Sequence, residues 1–510
     1  MGRALRTVVI GAGVGGLTAA ALLLKAGHEV TVLEAHIYPG GSAGTFYHQK
    51  YMFDAGATLA GGFAPGGPHA KVAEILGLEW PIRAVDPAWI VHLPDGRVVT
   101  QWVDRSVWED ERKRLFPNTE HFWHLQERLA KISWDIASRP FPWPPQSPAN
   151  WLTLARGLRP STLPAIPYLA RTMNSLPLGN DPLFRTFLDA QLLISAQTTT
   201  ERAGALYGSA ALDLPRRGVN HVLGGIGSLA KTLVEWIRAN GGQVHFRQRV
   251  ERIEVSGGRA KAVYTVQGAR HRADFVLANV TPWKLNDLLG AEAPGALASE
   301  LENLEPTWGA FTLYLGLEGA AIPEGLADHH QIIVDPARPL GEGNSVFLSL
   351  SDANDPLRAP PGRRAATLST HTRVQTWWEL YQAANKDGYF QRRSLYADRL
   401  VEAAARVVPD LRSAIHLCLP GTPVTFEYYT RRPMGMVGGF PQSSLFAARG
   451  PRVGFANLWL VGDSIFPGQS TAGVTLGALR VAAEVAAAGR RLTRHVHTAT
   501  LASHEVTTHE

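Results

Sequence analysis

The chain has 510 residues, which is long enough for a large buried core and predicts two or three domains. Its 45% hydrophobic and 18% charged residues are typical of a soluble globular protein. The net charge of +6 comes from scattered, mostly Arg, side chains, which argues against nucleic acid as a partner and leaves an anionic cofactor or a lipid surface. The single cysteine, Cys418, excludes an internal disulfide and a CxxC redox pair. Because its neighbours are apolar, Cys418 is predicted to pack in the core.

The N-terminal segment 8–35 can be compared with a signal peptide, a membrane anchor and the first unit of a dinucleotide-binding fold. Its glycines would weaken a continuous helix, and its apolar run is shorter than a membrane span requires. The third interpretation explains more, since a buried strand, a G-x-G-x-x-G turn with Gly11, Gly13 and Gly16, a helix and a strand ending at Glu34 follow in order. Such glycines permit a tight turn, close approach of a pyrophosphate and helix–strand packing, while the acid accepts hydrogen bonds from a ribose. The segment therefore predicts a dinucleotide site, with neither a signal peptide nor a transmembrane helix.

Later stretches favour FAD over NAD as the dinucleotide. A second glycine-rich loop, residues 39–45, is placed to lie against the pyrophosphate or the flavin, and the segments 243–255 and 273–279 predict further strands. Near the C-terminus, an apolar strand ends in a Gly-Asp pair at Asp463, and a helix begins at Val474. The aspartate is placed to hold a ribitol hydroxyl, and the helix N-terminus to stabilise the anionic reduced flavin. Taken singly, the loop is also typical of a flexible turn and the aspartate of a turn cap, but together with the N-terminal unit they predict FAD.

These stretches resemble the flavin-dependent carotenoid desaturases of the bacterial phytoene-desaturase type, within the amine-oxidase-like FAD superfamily. The C-terminal Gly-Asp-Ser-Ile-Phe-Pro-Gly-Gln is more similar to the 3,4-desaturase and isomerase branches than to the enzymes that act directly on phytoene. The likeness covers residues 6–490. Four stretches carry it: the N-terminal unit with Pro39-Gly-Gly and Phe53-Asp-Ala-Gly-Ala57, then 218–230, then 421–439, and finally Gly462-Asp463 with Phe466-Pro-Gly-Gln-Ser-Thr-Ala-Gly473.

The resemblance implies an α/β protein with a discontinuous, Rossmann-like FAD-binding domain around a parallel sheet and an inserted α+β substrate domain. It implies that FAD is contacted by Gly11, Gly13, Gly16, Glu34, Gly41, Val250, Asp463 and Val474, with the backbone of Val250 near the adenine. One position departs from the family, since Ser42 stands where an Arg or Lys is frequent. Phosphate neutralisation must then rely on backbone N–H groups or on an Arg elsewhere.

The predicted domains are interleaved along the chain. Residues 1–85, 215–290 and 440–490 are assigned to the FAD-binding domain, 86–214 and 291–439 to a substrate and membrane-contact domain, and 491–510 to a mobile tail without apolar periodicity.

Residues 151–171 follow a Pro-rich joint and mix apolar residues with Trp, Tyr and Arg. This mixture suits a membrane interface, and the alternative is a cap that packs on the protein's own core. The resemblance favours membrane contact, because a C40 polyene resides in the bilayer. The protein is therefore predicted to lie peripherally on the cytoplasmic side of a membrane.

The sequence contains no G-x-S-x-G nucleophile motif and no H-E-x-x-H metal motif, so the chemistry is assigned to the flavin. Two hydrogens would be removed across a C–C bond, with a proton leaving to water or to a weak base, for which Glu427 and His221 are the candidates. The alternatives are a salt bridge from Glu427 to Arg431 or Arg432 and a satisfied structural histidine. Because no buried strand is predicted before the glycines at 224–227, no NAD(P)H site is expected, and the electron acceptor is predicted to be oxygen or a membrane quinone.

The resemblance implies an enzyme of carotenoid biosynthesis that introduces a double bond into an acyclic carotenoid, with or without a 1-hydroxyl group, at the 3,4 position. A phytoene desaturase, a carotenoid isomerase and a ketolase are alternatives within the same family. A flavin amine or porphyrinogen oxidase and a prenyl-lipid escort protein without flavin are alternatives from other classes. The intact glycine unit with Glu34 and Asp463 argues against the escort protein.

Overall fold

The structure is a computed structural model that describes residues 4–139, 141, 143–145, 148–302, 304 and 308–506, with side chains through Leu492. The strands are β1 Arg6–Ile10, β2 Glu29–Leu33, β3 Thr45–His48, β4 Tyr51–Asp54, β5 Ala60–Gly61, β6 Ile82–Val85, β7 Trp89–His92, β8 Val98–Gln101, β9 Val219–Val222, β10 Gln243–His245, β11 Val250–Ser256, β12 Arg259–Thr265, β13 Arg270–Arg272, β14 Phe275–Ala278, β15 Trp308–Glu318, β16 His329–Ile333, β17 Ser345–Leu350, β18 Arg363–Arg373, β19 Ile415–Gly421 and β20 Leu458–Leu460. The helices are α1 Val14–Lys25, α2 Pro68–Leu76, α3 Arg105–Leu115, α4 Glu120–Ala137, α5 Pro148–Gly157, α6 Pro182–Ala196, α7 Ala205–Leu212, α8 Ser228–Ala239, α9 Pro282–Leu289, α10 Gly295–Glu302, α11 Val374–Gln382, α12 Lys386–Ala404, α13 Leu411–Ala414, α14 Pro423–Thr430 and α15 Thr471–Val506.

A five-stranded parallel sheet in the order β10-β2-β1-β14-β20 forms the centre of the first domain. Its central strands β1 and β14 are runs of apolar residues rather than alternating patterns, as expected for strands covered on both faces. Helices α1, α8, α9 and α15 pack with the sheet in one hydrophobic core. The strands come from five separated stretches of the chain, and the order is Rossmann-like, which confirms the predicted α/β class and FAD-domain architecture.

A second, seven-stranded sheet in the order β19-β15-β18-β17-β16-β7-β8 belongs to the inserted domain and is antiparallel except between β16 and β7. One of its faces packs on α11, α12 and α13 through leucines and the buried Trp377. Helices α3, α4, α6 and α7 form a separate core rich in aromatic rings, with Trp108, Trp123, Phe184 and Phe187 at its centre. The insert therefore has the predicted α+β composition.

Helix α15 begins at the carboxyl edge of the parallel sheet and is the longest helix. Its residues 471–492 have the length and apolar composition of a membrane-crossing helix, and 56% of that window is buried inside the protein. Because α15 packs into the core of the first domain, this packing accounts for its apolar surface. The helix continues to Val506, through the stretch that the sequence assigned to a mobile tail, and residues 507–510 lie outside the described part of the chain.

Cys418 lies on β19, at the edge of the seven-stranded sheet, and its side chain is exposed. The prediction that it packs in the core was wrong. Its apolar neighbours Leu417 and Leu419 pack inward, and side chains alternate between the two faces of a strand, so the residue between them points outward.

Several histidines are buried with strongly lowered pKa values. His69 stacks on Phe63 at 4.5 Å between ring centroids, and neither of its ring nitrogens has a partner among the described residues. Burial lowers the pKa of His69 and of His329 from 6.5 to about 3. Both rings are therefore neutral at neutral pH.

We expect the free energy of unfolding to fall as the pH is lowered from about 6.5 to about 3. In this range the two histidines bind protons in the unfolded chain but stay neutral in the folded protein. Each such ring contributes up to about 1.4 kcal/mol of lost stability per pH unit in this window. Denaturant unfolding at pH 7.5 and pH 5 measures the loss, and His69→Leu should make it smaller. His124→Leu, at an exposed histidine on α4, is the matched control and should reduce the loss less than His69→Leu does. Equal pH dependence in His69→Leu and the native chain would contradict this expectation.

Candidate functional site

The turn between β1 and α1 lies at the carboxyl edge of the parallel sheet and contains Gly11 and Gly13, while Gly16 lies in the first turn of α1. Gly11 has φ +94°, a backbone conformation that favours glycine. A Cβ atom on Gly11 would lie 2.8 Å from the carbonyl oxygen of Asn279, and one on Gly16 would lie 2.6 Å from the carbonyl oxygen of Gly11. Gly13 precedes α1, and no side chain caps that helix. The first N–H groups of α1 are thus available to an anion.

The second glycine loop touches the first. The N–H of Gly40 donates to the carbonyl of Ala12 at 2.9 Å, and Gly40 forms an isolated β-bridge with Gly13. Gly41 has φ +58°, and a Cβ atom there would lie 3.8 Å from the Cα of Gly13. The structure therefore brings Gly41 beside the start of α1, although the two glycines are 28 positions apart in the sequence.

Glu34 follows β2 at the same edge of the sheet. Its carboxylate accepts hydrogen bonds from the backbone N–H groups of Ala12 and His36, both at 2.7 Å. A carboxylate has about four acceptor positions, so two remain for ribose hydroxyls. The backbone of residues 245–248 runs alongside, since Gln248 donates to the carbonyl of Glu34 at 2.7 Å. Val250 begins β11 two residues later, which places it on the Glu34 side of the site.

The C-terminal Gly-Asp pair meets the N-terminal unit in space. A Cβ atom on Gly15 would lie 3.1 Å from the Cα of Gly462, so the first turn of α1 and the Gly-Asp pair are in contact. The carboxylate of Asp463 accepts two hydrogen bonds from Arg432, at 2.9 and 3.2 Å. Val474 lies in the first turn of α15, where its N–H donates to Ser470. An arginine is therefore present at the Asp463 end of the site.

Asn279 is a site residue that sequence reasoning missed. It directly follows β14, and its side chain lies against the glycines of the first loop: a Cβ atom on Gly13 would lie 2.6 Å from its Nδ2. On the other side, a Cβ atom on Gly462 would lie 2.9 Å from its Oδ1. Its position at the carboxyl end of a central parallel strand was the available signal, because ligands bind at that edge.

The two candidate bases lie in different environments. His221 is buried on β9, with Nε2 3.1 Å from a carboxylate oxygen of Asp355. Burial alone would raise the pKa of Asp355, but hydrogen bonds from His221 and Gly224 outweigh it, so this pKa is lowered. Glu427 lies on α14, where burial raises its pKa against the opposing hydrogen bond from the backbone N–H of Met434. The structure does not bring the two side chains together.

The glycine segment 224–227 corrects one step of the sequence reasoning. A fully buried strand, β9, does precede it, and α8 follows it. However, β9 lies in a small antiparallel sheet, and a Cβ atom on Gly225 or Gly227 would lie 2.6 Å from atoms of Thr45. These glycines serve close packing against the β3–β4 hairpin.

The model of the flavin containing amine oxidoreductase family matches residues 14–486. The chain belongs to this family. Prolycopene isomerase of Daucus carota is 27% identical over 507 residues, which cover 94% of this chain and 80% of that protein. A lycopene-forming phytoene desaturase of a Paracoccus strain is 26% identical over 504 residues, covering 94% of this chain and 96% of that protein. An oxidoreductase of Methanosarcina mazei shares the fold, with a TM-score of 0.64, 20% identity, and coverage of 94% of this chain and 99% of that one.

The cofactor of this flavin containing amine oxidoreductase is FAD. The described residues fit that group. Two glycine loops meet at the uncapped N-terminus of α1 and form a cradle of backbone without side chains. Carboxylates stand at both ends of the cradle, Glu34 after β2 and Asp463 after β20. This arrangement matches a dinucleotide with a phosphate centre and hydroxylated arms.

Proposed function

We propose that the protein is an FAD-dependent desaturase that introduces a double bond into an acyclic carotenoid, with or without a 1-hydroxyl group, at the 3,4 position. The observation that carries the proposal is similarity over 94% of the chain to relatives named for carotenoid desaturation and isomerisation. The 3,4 position is proposed from the sequence of residues 462–469, which resembles the 3,4-desaturase and isomerase branches more than the enzymes that act directly on phytoene. Electrons would leave to oxygen or to a membrane quinone.

In this proposal FAD is held by the two glycine loops and the two carboxylates. Gly11, Gly13, Gly16 and Gly41 let the backbone approach the pyrophosphate, and the N-terminus of α1 faces it. The hydroxyl-binding positions are Glu34 and Asp463, while the backbone of Val250 lies on the adenine side and Val474 at the start of α15.

When bound, FAD supplies the two-electron oxidation of the C–C bond. The protein's own part is to position the polyene and to provide a route for the proton. The raised pKa of Glu427 makes its carboxylate a better proton acceptor than an ordinary glutamate. His221 is already engaged by Asp355, so a structural role also accounts for its position.

The substrate would reach the flavin from a membrane. In α5 and the following turn, Trp151, Leu152, Leu158, Leu163 and Ile166 are each at least half exposed. A cleft lined by Leu169, Leu206 and Leu445 begins next to this surface, and a neighbouring cleft, which shares Gln442 and Ser444 with it, is lined by Phe440, Phe466 and Asp463. The exposed apolar surface, with these clefts beside it, supports peripheral membrane contact rather than a cap over the core.

Replacing two apolar side chains of this surface, Trp151→Glu with Leu163→Glu, should lower binding to phospholipid vesicles by about tenfold or more, because each buried side chain contributes about 1.5–3 kcal/mol. Vesicle co-sedimentation measures the effect. Leu395→Glu, at an exposed leucine of α12, is the matched control and should bind as the native protein does. Equal co-sedimentation of all three proteins would contradict membrane contact by this surface.

Expression in bacteria that make lycopene, or its 1-hydroxylated derivative, tests the proposed reaction. Desaturation removes two mass units and shifts the pigment absorption to the red, isomerisation leaves the mass unchanged, and ketolation adds oxygen. No change with any acyclic carotene would contradict the proposal.

An isomerase is the second candidate, favoured by the similarity to prolycopene isomerase. A product of unchanged mass formed from a cis-carotene would support it. An amine or porphyrinogen oxidase, the alternative from another class, would release peroxide with a polar substrate and would not need lipid.

A further inference from the structure

The seven-stranded sheet is buried on both faces, but the two faces differ in chemistry. The strand register places Phe311, Leu313 and Leu348 on the face that packs against α11 to α13. The other face carries polar side chains, and these too are buried: Thr312, His329, Gln331, Ser345, Ser349 and Thr367. Burying polar groups costs free energy unless they are hydrogen-bonded, so this face is shaped for polar partners.

Most groups on this face are bonded within the protein. Gln331 accepts a hydrogen bond from Gln191 at 2.6 Å, and Ser349 lies 2.7 Å from the hydroxyl of Thr58. Gln197 is not part of the sheet but lies against this face, at the end of α6, and its carboxamide is not fully bonded. It is 5% exposed, and its Oε1 has no partner among the described residues. Its Nε2 makes only a long contact of 3.5 Å, with Nε2 of His371.

His371 lies on β18 and belongs to the polar face, because it pairs with Ala310 on the same side as Thr312. Burial lowers its pKa to about 4, so the ring is neutral at neutral pH and offers one donor and one acceptor nitrogen. Gln197 and His371 together form a polar pair with unused hydrogen-bonding capacity.

The pair lies next to the Asp463 end of the site. A Cβ atom on Gly438 would lie 2.8 Å from Cδ of Gln197, so the carboxamide rests directly on this glycine. The carbonyl of Gly438 accepts a hydrogen bond from Arg432, which also binds Asp463. Gly438 and Arg432 therefore connect the pair to Asp463, the residue assigned to the ribitol.

We propose that Gln197 and His371 bind a hydroxyl group of the substrate and thereby fix which carbon–carbon bond is oxidised. This inference rests on the proposed carotenoid desaturation. A hydroxyl donates to the free Oε1 of Gln197 and accepts from an N–H of the pair, whereas a hydrocarbon end does neither. A polyene repeats along its length and has no other group that sets its position, so one polar anchor near the flavin determines the register.

The test compares lycopene with its 1-hydroxylated derivative, using FAD-loaded native protein, Gln197→Met and Gln191→Met. Methionine keeps the side-chain volume and removes the amide. Gln191 is the matched control, because it is also a buried glutamine on α6 and its amide is bonded to Trp89 and Gln331. The readouts are kcat/KM for each carotenoid and, without air, its Kd from the change in flavin absorption.

The native protein should prefer the hydroxylated carotenoid by about tenfold or more, as a site that hydrogen-bonds a substrate hydroxyl discriminates against the analogue lacking it. In Gln197→Met this preference should disappear, because kcat/KM falls for the hydroxylated carotenoid and stays unchanged for lycopene. Gln191→Met should keep the preference. Equal preference in the native protein and Gln197→Met overturns this inference, and the desaturase proposal stands if both carotenoids are still oxidised. If the carotenoids bind without oxidation, the Kd ratio decides the inference and the desaturase proposal fails. If neither carotenoid binds, both fail.

Discussion

Gly16→Ala is expected to yield a protein that purifies without FAD. In an isolated helix, alanine would be favoured over glycine by about 1 kcal/mol. Here the added Cβ would lie 2.6 Å from the carbonyl oxygen of Gly11 and 2.8 Å from Cβ of Asn279. Because the oxygen of Gly11 is a backbone atom, the clash is removed only if α1 moves away from β1 and β14. That movement displaces the N–H groups that face the pyrophosphate. We expect FAD affinity to fall about 100-fold, which corresponds to about 2.7 kcal/mol, and stability to fall by about 1–3 kcal/mol.

The ratio of flavin to protein absorbance after purification and the Kd for added FAD measure this effect. Gly295→Ala is the matched control, because a Cβ atom at this position in α10 would meet nothing within 4 Å. It should bind FAD as the native protein does and keep its stability within about 1 kcal/mol. Normal FAD content in Gly16→Ala would contradict the assignment of this turn to the pyrophosphate.

Arg358→Met should destabilise the protein by about 3–5 kcal/mol, the usual cost of leaving a buried charge without its partner. The guanidinium of Arg358 lies 3.0 Å from the carboxylate of Asp54, and both side chains are buried. Asp54 also accepts hydrogen bonds from Thr45 at 2.7 Å and from the N–H of Ile226 at 2.8 Å. The pair joins the loop after β17 of the inserted domain to β4 of the first domain, so its loss weakens the contact between the domains.

Denaturant unfolding measures the loss of stability. The double variant Arg358→Met with Asp54→Asn should recover part of it, because the amide keeps an acceptor and carries no charge. Arg412→Met breaks an exposed pair with Asp398 at 3.1 Å and should change stability by less than about 1 kcal/mol. If Arg358→Met were as mild as Arg412→Met, the buried pair would not contribute as described.

Local patterns were sufficient to predict the strand–turn–helix–strand unit at the N-terminus. The glycines at 11, 13 and 16 and the acid at 34 lie within one strand–turn–helix–strand unit, so their spacing reports their geometry directly. The apolar runs of β1 and β14 likewise reveal strands covered on both faces.

Contacts between distant stretches were decided only by the tertiary structure. The sequence does not show that Asn279 fills the space between Gly13 and Gly462, that Arg432 binds Asp463, or that Gln197 rests on Gly438. The same limit explains two wrong predictions. Cys418 was predicted to pack in the core and is exposed, and no buried strand was predicted before residues 224–227, where β9 lies. Spacing along the chain determines which residues share a strand, a turn or a helix face. Which side chains meet across the fold depends on how sheets and helices pack, and that packing carries no local signature.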